Sequence, residues 1–294
     1  MERRGGRKAA VKTEIADVAQ AYDFCRRFAR SHTDDFPVVF RFSAKLLRRH
    51  VAALYAFAGM SRDFSREPEE SLRARRLEDW RRQLQAVGKA PPQHPVFLAL
   101  ETTLAELNIP REPFDDLLSA FTEDCGKKRY ETFDDVLEHC RLRANPIGRI
   151  VLMIHGCRDE EVFRLCDRVC TALQLVSFLR NLSADLKDDR LYLPLEDFRE
   201  CGYSEADLRM GLVNERFRNL VKLQWKRART LFEEGRSLPS SLSWPLNWEL
   251  RLRWFGGMEI LRKIRKLDYD TIHRRPAVTA WGWAGLILKA LAKR

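Results

Sequence analysis

No stretch of this chain approaches the ~18–20 consecutive apolar residues that a membrane-spanning helix requires, so a globular protein is expected. The N-terminal segment MERRGGRKAAVK is basic with no apolar region behind it, and reads as a frayed tail rather than a signal peptide. Cys-x-x-Cys pairs are absent, and the seven cysteines (25, 125, 140, 157, 166, 170 and 201) stand at no zinc-ligand spacing. Cys166 and Cys170 share a helix face, but no histidine stands at a matching distance. Such scattered cysteines read as reduced core thiols of a cytoplasmic protein, with a peripheral seat on the inner face of the membrane as a further expectation. The six histidines are dispersed. HExxH, GxSxG, the P-loop and GxGxxG are all missing, which argues against zincin, α/β-hydrolase, phosphate-loop and dinucleotide-binding readings. Alternating strand patterns and repeats of fixed period are missing as well.

Basic charge is abundant. The formal net charge is +11, which favours an anionic partner such as an acidic lipid or a phosphorylated small molecule, although a solvated basic face accounts for most of these residues. Arginine is commoner than lysine at the informative places, which suits bidentate phosphate recognition. The basic residues are not interleaved with exposed aromatics and form no nucleic-acid motif, so nucleic acid is not expected as a partner.

Nearly every segment has helical period. Helices are expected over Thr13–Arg30, from a Ser43 cap to about Arg66, and over Leu72–Val87, Pro95–Leu107, Pro113–Cys125 and Thr132–Cys140. Ile147–His155, Glu160–Asp185, Ser204–Gly211, Glu215–Leu231 and Trp248–Leu267 continue the series. The reading is a basic tail at 1–12, one all-α domain of roughly a dozen helices at 13–275, and an apolar, basic C-terminal helix or tail at 276–294.

The stretch Leu173–Asp197, LQLVSFLRNLSADLKDDRLYLPLED, carries the clearest chemistry. Ser177, Asn181 and Asp185 recur every four residues and line one helix face, with Gln174 one turn earlier. Leu173, Leu175, Val176, Phe178, Leu179 and Leu182 surround that polar line. A helix apolar nearly all round is buried, and its polar groups need partners: each other, a ligand or a metal. Arg180, Arg190 and Tyr192 add two cations and a phenol, making a candidate anion or metal–anion site.

A second stretch, LYAFAGMSRDFSRE (Leu54–Glu67), lies before a helix end. Together with QLVSFLRNLSADLKDDRLYLPLED it resembles the two signature motifs of the squalene/phytoene synthase family. SHTDDFPV, RRHVAALYAFA, HPVFLALETT, RYETFDDVLEHCRLRANPIGR and RLYLPLEDFRECGY are most similar to its hopanoid-pathway hydroxysqualene synthase branch. The resemblance covers nearly the whole chain. It implies the all-α isoprenoid-synthase fold, helices around a central cavity that binds prenyl diphosphates. Acidic clusters on two facing helices would hold Mg²⁺, which draws off the diphosphate and leaves a carbocation in an apolar tunnel.

The chain departs from that pattern at its centre. Where the family's first motif has Asp, this sequence has Arg62 and Arg66, with Asp63 and Glu67 retained; the Arg after YAFA is Gly59. In the second motif Asn is replaced by Ser177 and Asp by Asn181, leaving Asp185 at its acidic position. Gln174, Arg180, Arg190, Tyr192 and Tyr55 match. The resemblance therefore implies Asp63, Asp185, Tyr55 and Tyr192 as catalytic residues, and Gln174, Arg180, Arg190 and Phe36 as diphosphate or substrate contacts; Arg62 and Arg66, by their charge, are expected to join that cradle in place of the missing cation. Asp185, Asn181, Ser177, Asp63 and Glu67 are the implied metal ligands. One weak Mg²⁺ site in the second motif is the most these residues suggest, since two guanidiniums would repel a first-motif metal.

Three readings follow: an enzyme converting presqualene diphosphate to hydroxysqualene with arginines in place of some Mg²⁺; a catalytically impaired relative that binds a prenyl diphosphate, lipid or partner protein; or a membrane-associated assembly factor alongside other hopanoid-pathway enzymes. Plainer assignments stand beside them. The charges at 62–67 make helix-end ion pairs worth a few tenths of a kcal/mol each, Ser177 and Asn181 satisfy one another, and Tyr130 only packs. Phe57, Phe121 and Met153 are expected in the core. The tail PAVTAWGWAGLILKALAKR is either a terminal helix packed on the core or a membrane-docking segment.

Overall fold

Short polar punctuation sets the helix boundaries. The computed structural model describes residues 17–31 and 47–292, and among them thirteen α-helices follow one another with no strand. The first seven are α1 (Val18–Ser31), α2 (Leu47–Ser65), α3 (Glu70–Ala86), α4 (Pro95–Leu107), α5 (Glu112–Gly126), α6 (Phe133–Arg143) and α7 (Asn145–Ile154). After them come α8 (Glu160–Lys187), α9 (Leu195–Glu200), α10 (Glu205–Arg209), α11 (Glu215–Glu234), α12 (Leu246–Lys266) and α13 (Ala280–Ala292). The fold is all-α, helix packed on helix, among the described residues.

Caps explain several starts. Thr132 and Ser204 each close a reciprocal capping box, with Asp135 and Asp207, at the heads of α6 and α10. Asp159 accepts from the amides of Glu161 (2.8 Å) and Val162 (3.1 Å) to start α8, and Asn214 caps α11. Proline occupies the first turn of α4, α5 and α7, where its missing N–H costs nothing. Asn108, left-handed at φ 49°, ends α4. The expected cap Ser43 lies outside the described residues. The six-residue α9 is too short to show a period and was not expected from the sequence.

Two long helices organise the rest. α2 packs against α1, α3, α4, α5 and α7; α8 packs against α6, α7, α11 and α12. The side of α2 turned away from α8 is closed by aromatics. Phe57, fully buried, stacks on Trp80 (6.0 Å) and meets Phe97 (6.1 Å) and Phe114 (5.5 Å) edge-on. Each such ring contributes about 1.5–3 kcal/mol of burial. Gly148 lets α7 approach α8 closely, because a Cβ there would lie 2.5 Å from Cys170 Sγ and 2.6 Å from Cys166 Sγ. One core runs from α1 through α12, while a smaller cluster of Trp248, Leu252, Phe255 and Ala290 fastens α13 to α12. No described helix is long and apolar enough to cross a membrane.

Candidate functional site

A cavity of about 560 Å³ lies between α2 and α8 and is closed by α5, α7 and α12. Helical spacing aims one face of each long helix into it. From α2 come Val51, Tyr55, Gly59 and Arg62, with Arg66 just past the helix end; from α8 come Leu173, Gln174, Ser177, Asn181 and Asp185. The C-terminal ends of the two helices meet, since Arg66 acts electrostatically on Asp185. Helix C-termini carry partial negative charge, so cations gathered at that end are favoured. The end where α2 and α8 finish is therefore polar and rich in guanidinium groups, whereas Val51, Phe121, Val151, Val169, Leu173 and Leu250 make a largely apolar interior that also holds Tyr55, Glu249 and Arg253.

The residues singled out in the sequence fall into three groups. Tyr55, Arg62, Arg66, Gln174, Ser177, Asn181 and Asp185 all line the cavity. Asp63 and Glu67 do not. Asp63 follows a cavity-facing residue and so points about 100° round the helix. Its carboxylate lies 3.7 Å from Arg62 Nε, and Glu67 pairs with Arg76 at 2.5 Å. Arg180, Arg190 and Tyr192 form the third group, buried behind the wall. Arg180 Nε donates to the Pro276 carbonyl (2.8 Å), Arg190 to the Ser65 carbonyl at the end of α2 (3.1 Å), and Tyr192 Oη to Asp124 (3.3 Å). Phe36 lies outside the described residues.

Other cavity residues carried no legible signal. Arg143 ends α6 and donates to buried Asp124, with its guanidinium 4.7 Å from the Phe121 ring centre. Asp124 is thus shared by Arg143 and Tyr192, and His139 behind it bonds Tyr130 at 2.9 Å. Phe121 is a cavity wall as well as a core residue, unlike Phe57 and Met153. Arg253, from α12, donates to Tyr55 Oη (3.2 Å), and buried Glu249 lies one turn before it. Arg275, in the connection to α13, donates to Asn181 Oδ1 at 2.7 Å. RLRANPIGR contains Arg143, but nothing in HRRPAV marks Arg275.

The electrostatics follow from burial. Five arginines (62, 66, 143, 253 and 275) and three carboxylates (Asp185, Asp188 and Glu249) line the cavity. Burial pushes the Asp185 carboxyl up to about 6, even though Arg66, Arg143 and Arg190 pull it down. His155 lies on the wall with Nδ1 2.9 Å from the Val151 carbonyl, and burial lowers its pKa. Since a carbonyl only accepts, Nδ1 carries the proton. Nε2 is then a buried acceptor, shielded from solvent and with no partner among the described residues.

The squalene/phytoene synthase family model matches residues 29–282, and the chain belongs to that family. It is 28% identical over 281 residues to a phytoene synthase of Arthrospira platensis, covering 90% of each chain. Among solved structures, the squalene synthase HpnC of Alicyclobacillus acidocaldarius superposes with a TM-score of 0.81 at 35% identity, covering 86% of this chain and 95% of that one. A dehydrosqualene synthase in complex with ligand superposes at 0.84, covering 94% and 96%, with 23% identity, a likeness of fold.

This family uses a divalent metal in prenyl diphosphate catalysis, but the donor set here does not fit a metal cluster of that kind. Among the described residues no three His, Cys, Asp or Glu side chains converge to hold an ion. The α2 face offers guanidiniums where carboxylates would be needed. On α8 the Asn181 oxygen accepts from Arg275, and its amide nitrogen donates to Ser177 Oγ at 3.2 Å. Of the Ser177, Asn181 and Asp185 series only Asp185 is anionic, with Asp188 just past the end of α8 as the next carboxylate on the cavity.

Proposed function

We propose that the chain acts on a prenyl diphosphate, converting presqualene diphosphate to hydroxysqualene. The observation that carries this reading is a guanidinium-lined mouth joined to an apolar interior within one cavity, which matches a ligand with a polyanionic head and a hydrocarbon body. The likeness to the squalene synthase HpnC supports a reaction of this class. The C–O bond breaks with its electron pair leaving on the diphosphate, and the resulting carbocation is enclosed by the apolar wall. Water adds to it and loses a proton. Arg62, Arg66 and Arg275 offset the charge that develops on the leaving group, and Gln174 lies midway along the wall.

An end-point assay with presqualene diphosphate, and separately with farnesyl diphosphate, tests the reading. Hydroxysqualene from presqualene diphosphate is the expected product. No product from folded protein would move the chain to a second reading, a relative that binds a prenyl diphosphate without turnover. The observation favouring that alternative is the placement of Asp63 and Glu67 away from the cavity.

The outer face of α13 supports a peripheral seat on an anionic lipid surface. Trp281 is 89% exposed and Leu288 67%, while Trp283, Leu286 and Ile287 pack inward toward α12. Residues 271–294 contain no acid and five Lys or Arg residues (274, 275, 289, 293 and 294). An apolar face bearing tryptophan, with basic neighbours and no carboxylate, suits the headgroup region of a bilayer. α13 packs on α12, whose other face lines the cavity, so a lipid surface at α13 would lie one helix from a site suited to a lipophilic substrate.

A further inference from the structure

We infer that this chain holds a diphosphate through guanidinium groups alone, with Arg62, Arg66 and Arg275 occupying the positions where its relatives' chemistry calls for divalent cations. The inference rests on the preceding reading only in taking a diphosphate as the ligand.

Three independent placements point the same way. The first is on α2, where the cavity face that ends in Arg62 and Arg66 carries no carboxylate, while Asp63 and Glu67 are directed elsewhere and engaged by Arg62 and Arg76. The second is across the mouth. Arg275 reaches in from the segment before α13 and bonds the Asn181 oxygen, the atom a metal would need. That bond also fixes the amide, turning its nitrogen to Ser177 and committing a second donor of the α8 face. The third is Gly59. A Cβ at this position would lie 2.7 Å from Phe28 Cε1, so the phenyl ring fills the space beside α2 where any side chain would begin. The nearest cation on this face is consequently Arg62, one turn nearer the mouth.

Arg275 owes its position to a buried residue. Arg180 Nε holds the Pro276 carbonyl at 2.8 Å, and Arg180 is itself only 9% exposed. The connection between α12 and α13 is thereby fastened to α8 one residue from the guanidinium that meets Asn181. Guanidinium is permanently charged and offers paired N–H donors to phosphate oxygens. Several converging on one mouth neutralise a diphosphate with no ion to recruit.

Calorimetric titration with inorganic pyrophosphate and with farnesyl thiolodiphosphate, a non-ionising analogue, distinguishes the two modes. Each is measured in EDTA and in excess MgCl₂. The expected result is binding in EDTA, with Mg²⁺ changing affinity by less than about threefold. R66A and R275A should each weaken it about tenfold or more, the loss expected of a charged hydrogen-bond donor. The variant R62D/R66D/S177N/N181D, checked for folding by thermal denaturation, should become Mg²⁺-dependent. Binding of the parent only with Mg²⁺, or no binding of either probe, overturns the inference. Tight binding in EDTA without turnover would instead sink the proposed reaction and leave this inference standing. Mg²⁺-dependent binding with hydroxysqualene formed would do the reverse.

Discussion

Arg275 Nη2 lies 2.7 Å from Asn181 Oδ1, which joins the segment leading to α13 to the polar face of α8. A carboxylate at 181 would turn this bond into an ion pair and strengthen it; a metal at 181 would have to break it. The contact links the C-terminal segment to the guanidinium-lined end of the cavity, so the two regions should respond together to mutation.

Arg180 gives that coupling a direct test. Because it holds Pro276, R180A should weaken pyrophosphate binding about tenfold by releasing Arg275, although Arg180 does not line the cavity. In an R275A background the same change should cost little more, since coupled residues are non-additive. Calorimetry on the four proteins of this cycle decides the matter. Additive losses would mean that Arg180 acts independently of Arg275.

Much of the site was legible because helix geometry is periodic. Residues 174, 177, 181 and 185 share a face in any straight helix, and 55, 62 and 66 follow the same rule on α2. What could not be read was the direction set by distant partners. Arg180, Arg190 and Tyr192 stand in or just beyond the recognised stretch, yet they point at Pro276, Ser65 and Asp124, which lie 96, 125 and 68 residues away in sequence. Arg143, Arg253 and Arg275 reach the cavity from three further segments, and only tertiary packing assembles them. The helices were largely legible from caps and spacing. α9 escaped because six residues hold less than two turns.

Asp185 sets a pH dependence of stability. Its folded pKa, about 6, lies above the usual 3.8 because burial penalises the anion. The folded protein therefore holds a proton that the unfolded chain releases, and stability falls as pH rises between about 4 and 6. The gap between 3.8 and about 6 corresponds to about 2–3 kcal/mol. D185N should lack this slope, matching the parent near pH 4 and exceeding it above pH 6. Urea denaturation at the two ends of the window checks this; equal stability differences at both would show that burial does not shift the Asp185 carboxyl.

The exposed face of α13 should act independently of the cavity. W281S and L288S remove side chains that are mostly solvated, so thermal stability should change little, within about 0.5 kcal/mol. Sedimentation with vesicles of mixed phosphatidylglycerol and phosphatidylcholine should nevertheless lose most of the bound protein. R66A should sediment like the parent. Retention of the double variant W281S/L288S on vesicles would remove the lipid-surface reading.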